Sequence, residues 1–600
     1  DKEYLIAPLG AQGQPIDFSF KEAKFGDVET MRASLHDTRD HLDRLAEIDA
    51  QFLGYSRDSR NKLAHPAFKY RVGQNVIETV TSISENGDIV VSLTGTLKAP
   101  QTFAINPQFF SDAKASAGTI TQDRWRLPAG KLNATLRGKV ALADKPWRPE
   151  PSKHRYTPAP LVKSEATAVL PAGYSIENYY PPKDNFGRDQ LFEALGLALA
   201  KDGTIVVATR NAGIWRLVNN EWHLFAEGLF DSLGVVVEDD KGLVVVAGQK
   251  AELTRISDTN GDGRADRYET LFDAHSYHSN YHTYMHGPAR LPDGTYCFAL
   301  NLAHGSEGLY HAGGNVMGTF GGFNGWAICV APNGKYELLA NGLRSPASVG
   351  VGPDGRLWIT DNQGDFVGTS KMFEIKKGKF YGHPAGLVDL PGMTPASPEI
   401  QWEQVLSRKE PATILFPHNR VANSPGNPAW IKGNTFGPFA GQILIGDQTQ
   451  SNLLRVAIEK VGDIEQGSVM PFFEGLESGV MRPLFLRDGS LLLGQTGRGW
   501  QAKGGRIASL QHVRWDGKTI APQIKQMTVT PDGFKIELTQ PLAANVSQDA
   551  LASALTLESW TYRDAPDYGS DELDLTTEQC SSIALSPDRK IISITLASLE

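Results

Sequence analysis

Four residues of chemically useful type stand at one recurring place in this sequence. Asp231 precedes "SLGVVV", His286 precedes "GPARLPDG", Arg344 precedes "SPASVGVGPDG" and Arg482 precedes "PLFLRDG". Each is followed by an apolar run and a glycine-bearing turn, and His418 and Asn419 in "LFPHNR" stand in a comparable position. If such runs are strands arranged radially, the residue before each opens onto a shared axis. An acid, one or two histidines and two arginines would then converge in one concave place. Such a set can hold an anion through guanidinium N–H groups and move a proton through imidazole.

A second cluster precedes the second of these residues. "AHSYHSNYHTYMHG" carries His275, His278, His282 and His286, four of the chain's 14 histidines. Spacings of three and four would align metal ligands on a helix, and His278 and His282 are the transition-metal candidates on that reading. The stretch is rich in Ser, Asn and Tyr and reads as a loop, so the preferred expectation is one catalytic histidine among hydrogen-bonded neighbours. A third cluster, "DTNGDGRADRYE", places Asp258, Asn260, Asp262, Asp266 and Glu269 at the oxygen-ligand positions of a calcium loop. Its flanks read as strands, so any calcium there would be structural, and Asx turns without metal are the alternative.

The elements that must position these groups are mostly strands. From Ala194 onward an apolar strand, an Asp-Gly or Asn-Gly turn and a second apolar strand recur. "LGLALAKDGTIVVATR", "HGPARLPDGTYCFAL", "ASVGVGPDGRLWITD" and "PLFLRDGSLLLGQT" are examples. Copies lie roughly 40 to 60 residues apart, in the range of propeller blades with insertions. The fold expected is therefore mainly β: a six-bladed β-propeller over 166–515. It is flanked by an N-terminal helix plus β-sandwich region with a linker (1–165) and a C-terminal fibronectin-like β-sandwich (516–600). The N-terminal helix is read from Leu35, Leu42, Leu45, Ile48 and Phe52, which share one helical face.

Composition narrows the classes. Sixty glycines and 35 prolines suit a turn-rich β protein, and 600 residues exceed one core. A net charge of -9 argues against nucleic-acid binding, and no apolar run approaches the roughly 20 residues of a membrane helix. Three cysteines build no disulfide framework. A Cys297–Cys329 bridge is conceivable, but two buried thiols are the preferred reading. "KIISITLASLE" at the end reads as a strand, which leaves a continuation past residue 600 open.

Taken together, "FAEGLFDSLGVVV", "AELTRISDTNGDGRADRYETLF" and "LLANGLRSPASVGVGPDGRLWITDNQGD" resemble the glucose/sorbosone dehydrogenase superfamily of six-bladed propellers. "GKFYGHPAGL", "GPFAGQILIGDQTQSNLLRVAIEKV" and "GSLLLGQTGRGW" are similar to large propeller proteins of planctomycete-type bacteria, described as membrane-bound dehydrogenase or haem-binding proteins. The resemblance covers about residues 190–515 and is specific for fold more than for activity. It implies pyrroloquinoline quinone over calcium at the channel mouth, with His286 as the base and Arg344 polarising the quinone oxygens. It implies Gly364 and Asp365 as main-chain calcium ligands, with Gln363 beside them. Phe380 to Pro384 would be the turn that follows, and Arg455 a partner for a cofactor carboxylate; Arg482, taken from its strand position, is a further cofactor-binding candidate. Haem would need a CxxCH motif, which the sequence lacks, so haem is expected only from a segment beyond residue 600.

Three functions follow as expectations. The first is a periplasmic or extracellular quinoprotein-type dehydrogenase acting on a sugar or polyol hydroxyl, with Asp231, His286 and Arg344 catalytic and a cytochrome accepting electrons. The second is a polysaccharide lyase on uronate chains, in which Arg344 and Arg482 neutralise the carboxylate while His286 or Tyr284 takes the proton. The third is a propeller that binds glycans or partners without catalysis.

Overall fold

The computed structural model describes residues 6–8, 50–56, 65–105, 110–139, 155–165, 168–184, 187–275, 280–305, 317–347, 349–498 and 501–597. Residues 35–48 of the expected N-terminal helix, and His278, lie outside them. Phe52, assigned above to that helix, belongs instead to the strand Ala50–Ser56. The chain forms two compact units: 1–153 with 254–273, and 154–253 with 274–600.

The first unit is built from antiparallel strands. Gly130–Lys139 pairs along its length with Asp88–Leu97, which pairs with Asn75–Ile83 and so on to Ala67–Val72 and Ala50–Ser56. A smaller sheet joins Gln101–Ile105, Arg124–Leu127 and Thr119–Thr121. The alternating pattern legible in the sequence buries Ile77, Leu93, Phe103, Trp125 and Leu136 in one cluster. The loop Asp258–Glu269 belongs to this unit, and its oxygens turn inward. Asp258 accepts from the N–H groups of Asn260, Gly261 and Gly263, and Asp266 accepts from Thr259 and the Asn260 amide. Glu269 pairs with Arg267. Among the described residues no group of three His, Cys, Asp or Glu could hold a metal ion. The N–H groups that Asp258 accepts are those of Asx turns.

The second unit carries the repeat. Ala194–Leu199, Met285–Arg290, Gly350–Val351, Pro425–Trp430 and Val480–Phe485 each open an antiparallel meander, and Gly234–Val237 pairs with Val244–Gly248. The turns work as their sequence implies: Asp202, Asp293, Asp354 and Asp488 each accept the N–H two residues on. The opening strands of successive sheets touch. A Cβ on Gly196 would strike the main chain of Gly234, one on Gly234 that of Gly287, one on Gly426 that of Met481, and one on Gly494 that of Ala194. The last sheet thus meets the first. That sheet is completed by Tyr174–Tyr179, which pairs with Ala508–Trp515 from the far end of the repeat. The buried Glu477 locks the join by accepting from Ser164, the Glu165 N–H, Asn178 and Ser509.

A second regularity explains the polar residue at many strand exits. Asp361 accepts the N–H groups of Arg344 and Ser345, Asp447 those of Asn423 and Ser424, and Gln495 that of Ser478. Each latch ties the exit of a second strand to the entrance of the first. Burial raises the Asp361 and Asp447 carboxyls above their ordinary range, while these N–H bonds pull the other way.

Beyond the repeat, Ile524–Thr530, Gly533–Leu538, Ile591–Leu596 and Cys580–Leu585 form a small antiparallel sheet in the same unit. The cysteine expectation is corrected: Cys297 and Cys329 face each other on neighbouring strands and form a disulfide, because register places them opposite. Cys580 is the free thiol. Denatured, unreduced protein should therefore react with one equivalent of a thiol reagent, and three after reduction. Three before reduction would mean that the bridge does not form.

Candidate functional site

Of the residues at strand entrances, Arg482 is buried and not free to bind an anion. It is 5% exposed. Its Nε donates to the Leu195 carbonyl at 2.8 Å, its Nη1 to Ala347 at 2.8 Å and Met481 at 3.1 Å, and its Nη2 to Leu233 at 3.2 Å. Nη2 also donates to His286 Nδ1 at 2.9 Å. Burial pushes this guanidinium down to about 10. It caps carbonyls from several sheets at once, the alternative open to any arginine at a strand end.

His286 is changed by the same contact. Its Nδ1 accepts from a cation, so in the neutral ring the proton sits on Nε2. Burial first and Arg482 second hold it well below the usual imidazole range. A ring fixed as a donor at Nε2 does not suit the general base expected of it. Arg455 departs further. It donates to the Lys525 and Ile524 carbonyls and to Gln442, with its guanidinium 3.8 Å from the Phe439 ring centroid. It clamps the C-terminal module's first strand rather than a cofactor. His418 and Asn419 bond to Asn423.

The structure does bring another set together. Asp231 pairs with Arg210 at 3.0 Å, and Arg210 donates to the Tyr284 hydroxyl at 2.6 Å. Lys250 lies over the faces of Tyr284 and Phe230 and donates to the Asn280 carbonyl. Burial lowers its ammonium to about 8, against the attraction of Asp231. His282 stands between this group and Arg344. Its Nδ1 meets the Leu302 carbonyl at 2.8 Å, so Nδ1 carries the proton. Its Nε2 lone pair therefore accepts from the Ser345 hydroxyl at 3.2 Å. Burial, with Arg344 adding, holds His282 down to about 3. Of the three described histidines of the cluster, His282 is thus the one whose basic nitrogen meets a hydroxyl. His275 instead bonds the Lys250 carbonyl through Nε2.

Arg344 answers the question its position raises. It is 2% exposed; Nε donates to Asp365 Oδ1 at 2.8 Å, and Nη2 meets no acceptor among the described residues. Gly364 makes room for it, since a Cβ there would overlap the guanidinium. The other Asp365 oxygen accepts from His383 Nε2 at 3.0 Å and the Met317 N–H at 3.0 Å. Burial raises the Asp365 carboxyl, but His383 and Arg344 outweigh it and hold it well below the carboxylate range.

These contacts decide what the site can hold. The Gly364 carbonyl, one of the two main-chain oxygens expected to hold calcium, accepts from the Val367 and Gly569 N–H groups at 3.0 Å each, and the Asp365 carboxylate is engaged by Arg344 and His383. Gln363 is turned to the Gly368 carbonyl. An anion does fit. A buried N–H with no acceptor costs about 1–3 kcal/mol, which a ligand carboxylate at Arg344 Nη2 would recover. Lys250 and Arg210 meet at Tyr284, Lys250 over its ring and Arg210 on its hydroxyl.

No family model and no curated protein sequence matches the chain. Among solved structures it is similar to a glucose-dehydrogenase-type oxidoreductase from Thermus thermophilus. That match has 16% identity, covers 57% of this chain and 100% of the other, and has a TM-score of 0.41. The PQQ-bound aldose sugar dehydrogenase of Streptomyces coelicolor gives 16% identity over 58% of this chain and 99% of its own, with a TM-score of 0.39. The holo PQQ domain of Coprinopsis cinerea pyranose dehydrogenase gives 12% identity over 59% and 98%, with a TM-score of 0.40. At these scores they carry no argument about activity, which must come from the side chains.

The two arginines separate experimentally. Arg482→Met should destabilise the repeat by about 3 kcal/mol, because several carbonyls lose their donor. In a urea titration its midpoint should fall while any anion affinity persists. Arg344→Gln should do the reverse, and identical behaviour of the two variants would refute the division of roles.

Proposed function

We propose that the sheets opening at Ala194, Gly234, Met285, Gly350, Pro425 and Val480 are six propeller blades. We further propose that the chain is a quinoprotein-type dehydrogenase oxidising a sugar or polyol hydroxyl at their mouth. The observation that carries the reading is His282: a neutral imidazole, its tautomer set by Leu302, offering Nε2 to a hydroxyl beside an arginine with an unused N–H.

Oxidation of a carbinol removes a proton from oxygen and a hydride from carbon. His282 Nε2 already accepts a hydrogen bond from the Ser345 hydroxyl, and a substrate hydroxyl taking that place would pass its proton to the same lone pair. Leu302 keeps the ring from turning during the transfer. Arg344 and Lys250 would hold the carboxylates of the cofactor, and Arg210, fixed by Asp231, would orient Tyr284 at the edge of the site. Pyrroloquinoline quinone, when bound, supplies the acceptor for the hydride. Electrons then pass to an external carrier such as a cytochrome. The bridge Cys297–Cys329 supports an oxidising compartment, periplasmic or extracellular. The elimination alternative is weakened because the Arg482 and His286 it relies on are bound to each other.

Two outcomes test this. Protein loaded with pyrroloquinoline quinone should reduce an artificial dye in the presence of an aldose, and His282→Ala should lower turnover at least a hundredfold while retaining the quinone's absorbance after desalting. Full turnover in that variant would sink the assignment. Quinone affinity should also fall as pH rises through about 8, where the folded protein's Lys250 loses its charge. Lys250→Met should remove that limb, and an unchanged profile would place the carboxylates elsewhere.

A further inference from the structure

The C-terminal module reaches the site just described. Its segment Arg563–Ser570 is fastened to the strand exit that carries Arg344's partner. The Phe366 N–H donates to the Ala565 carbonyl at 2.7 Å, the Gly569 N–H to Gly364 at 3.0 Å and the Ser570 N–H to Gly368 at 2.9 Å. Asp564 adds a buried anchor: it accepts the Gly368 N–H at 2.7 Å and pairs with Lys371 at 3.2 Å and with Lys409. Three main-chain bonds and a carboxylate shared by two lysines make a fixed wall.

The side chain this wall presents takes no part in fastening it. Tyr568 lies against the Arg344 guanidinium, 5.0 Å from Cζ to ring centroid, yet remains 53% exposed. Tyr281 is 48% exposed, packs its edge on His282 and its face near His304, and lies close enough for Tyr568 and Arg344 to bear on its phenol. Two half-bare aromatic rings thus stand beside a proton-accepting histidine and a cation. A pyranose with equatorial hydroxyls has complementary chemistry: its axial C–H groups form a flat apolar face, and its hydroxyls ring the edge.

We infer that the C-terminal module completes the site, and that Tyr568, with Tyr281, is the stacking surface for an equatorial-hydroxyl sugar ring beside Arg344. This rests on the dehydrogenase reading for the placement of substrate at the mouth. Tyr568 is then a specificity-determining residue supplied from outside the propeller repeat. Arg344 orients the ring by lying against its face.

The test uses the full chain and cellobiose, followed by saturation-transfer difference NMR. Native protein should transfer saturation to the axial ring protons. Tyr568→Ala and Tyr281→Ala should each weaken cellobiose at least fivefold with unchanged thermal unfolding, and Tyr568→Trp should restore it. Cellobiose binding that ignores Tyr568→Ala would overturn the inference and leave the dehydrogenase reading intact. Absence of saturation transfer from the native protein to cellobiose would also overturn it. Dye reduction that survives His282→Ala would instead fell the dehydrogenase reading, while a loss of binding in Tyr568→Ala would still support the stacking surface.

Discussion

The arrangement depends on one buried cation that has no carboxylate partner. Opening strands that meet around an axis direct carbonyl oxygens toward one another, and such dipoles repel in a medium that screens poorly. Arg482 resolves this by donating to carbonyls of Leu195, Leu233, Ala347 and Met481, residues drawn from four of the repeating sheets. A planar guanidinium with five donors suits this place where an ammonium, a point charge with three, would leave acceptors unmet. The sheets converge closely because glycine stands where they cross, as at Gly234 and Gly287. Filling the axis at this level also fixes His286 as a neutral hydrogen-bond donor, which moves the basic nitrogen of the site to His282.

Arg344 and Arg482 show how far a sequence position can be trusted. Both stand at the opening of a strand–turn–strand unit of the same kind in the sequence. Their roles diverge because of acceptors that come from other parts of the chain. Arg482 meets main-chain oxygens that appear only when distant sheets close up. Arg344 meets Asp365, held from behind by His383 and the Met317 N–H, and has one nitrogen left over. The strand–turn–strand grammar, the β-rich architecture and the Asp-Gly turns were legible locally, because each depends on residues within a few positions. The exit residues Asp361, Asp447 and Gln495 were legible as polar but not as latches, since the N–H groups they accept are set by pairing.

What stayed hidden was long-range. His282 and His286 differ little in local sequence; the Leu302 carbonyl and the Arg482 guanidinium make one a base and the other a donor. The cysteine pair needed strand register, since 32 residues of separation alone do not distinguish a bridge from two thiols. Arg455 was expected as a cofactor partner from the resemblance of its segment, yet its guanidinium donates to the strand that begins the C-terminal module. The engagement of Asp564 with Lys371 and Lys409 joins residues with no sequence signal in common, and so the module read as a bystander.

The electrostatics of the mouth carry the argument one step further. Arg344 and Lys250 bring positive charge to His282. Burial is the larger cause of the imidazole's depression and the cations add to it, so an unliganded site holds a base weaker than proton abstraction favours. A carboxylate-bearing ligand at Arg344 and Lys250 would cancel the second cause without touching the first. His282 would then become more basic as the site fills. On the proposed reading, the charges that would recruit the anion also hold the base down until the anion arrives, so binding and proton transfer would be coupled through one field.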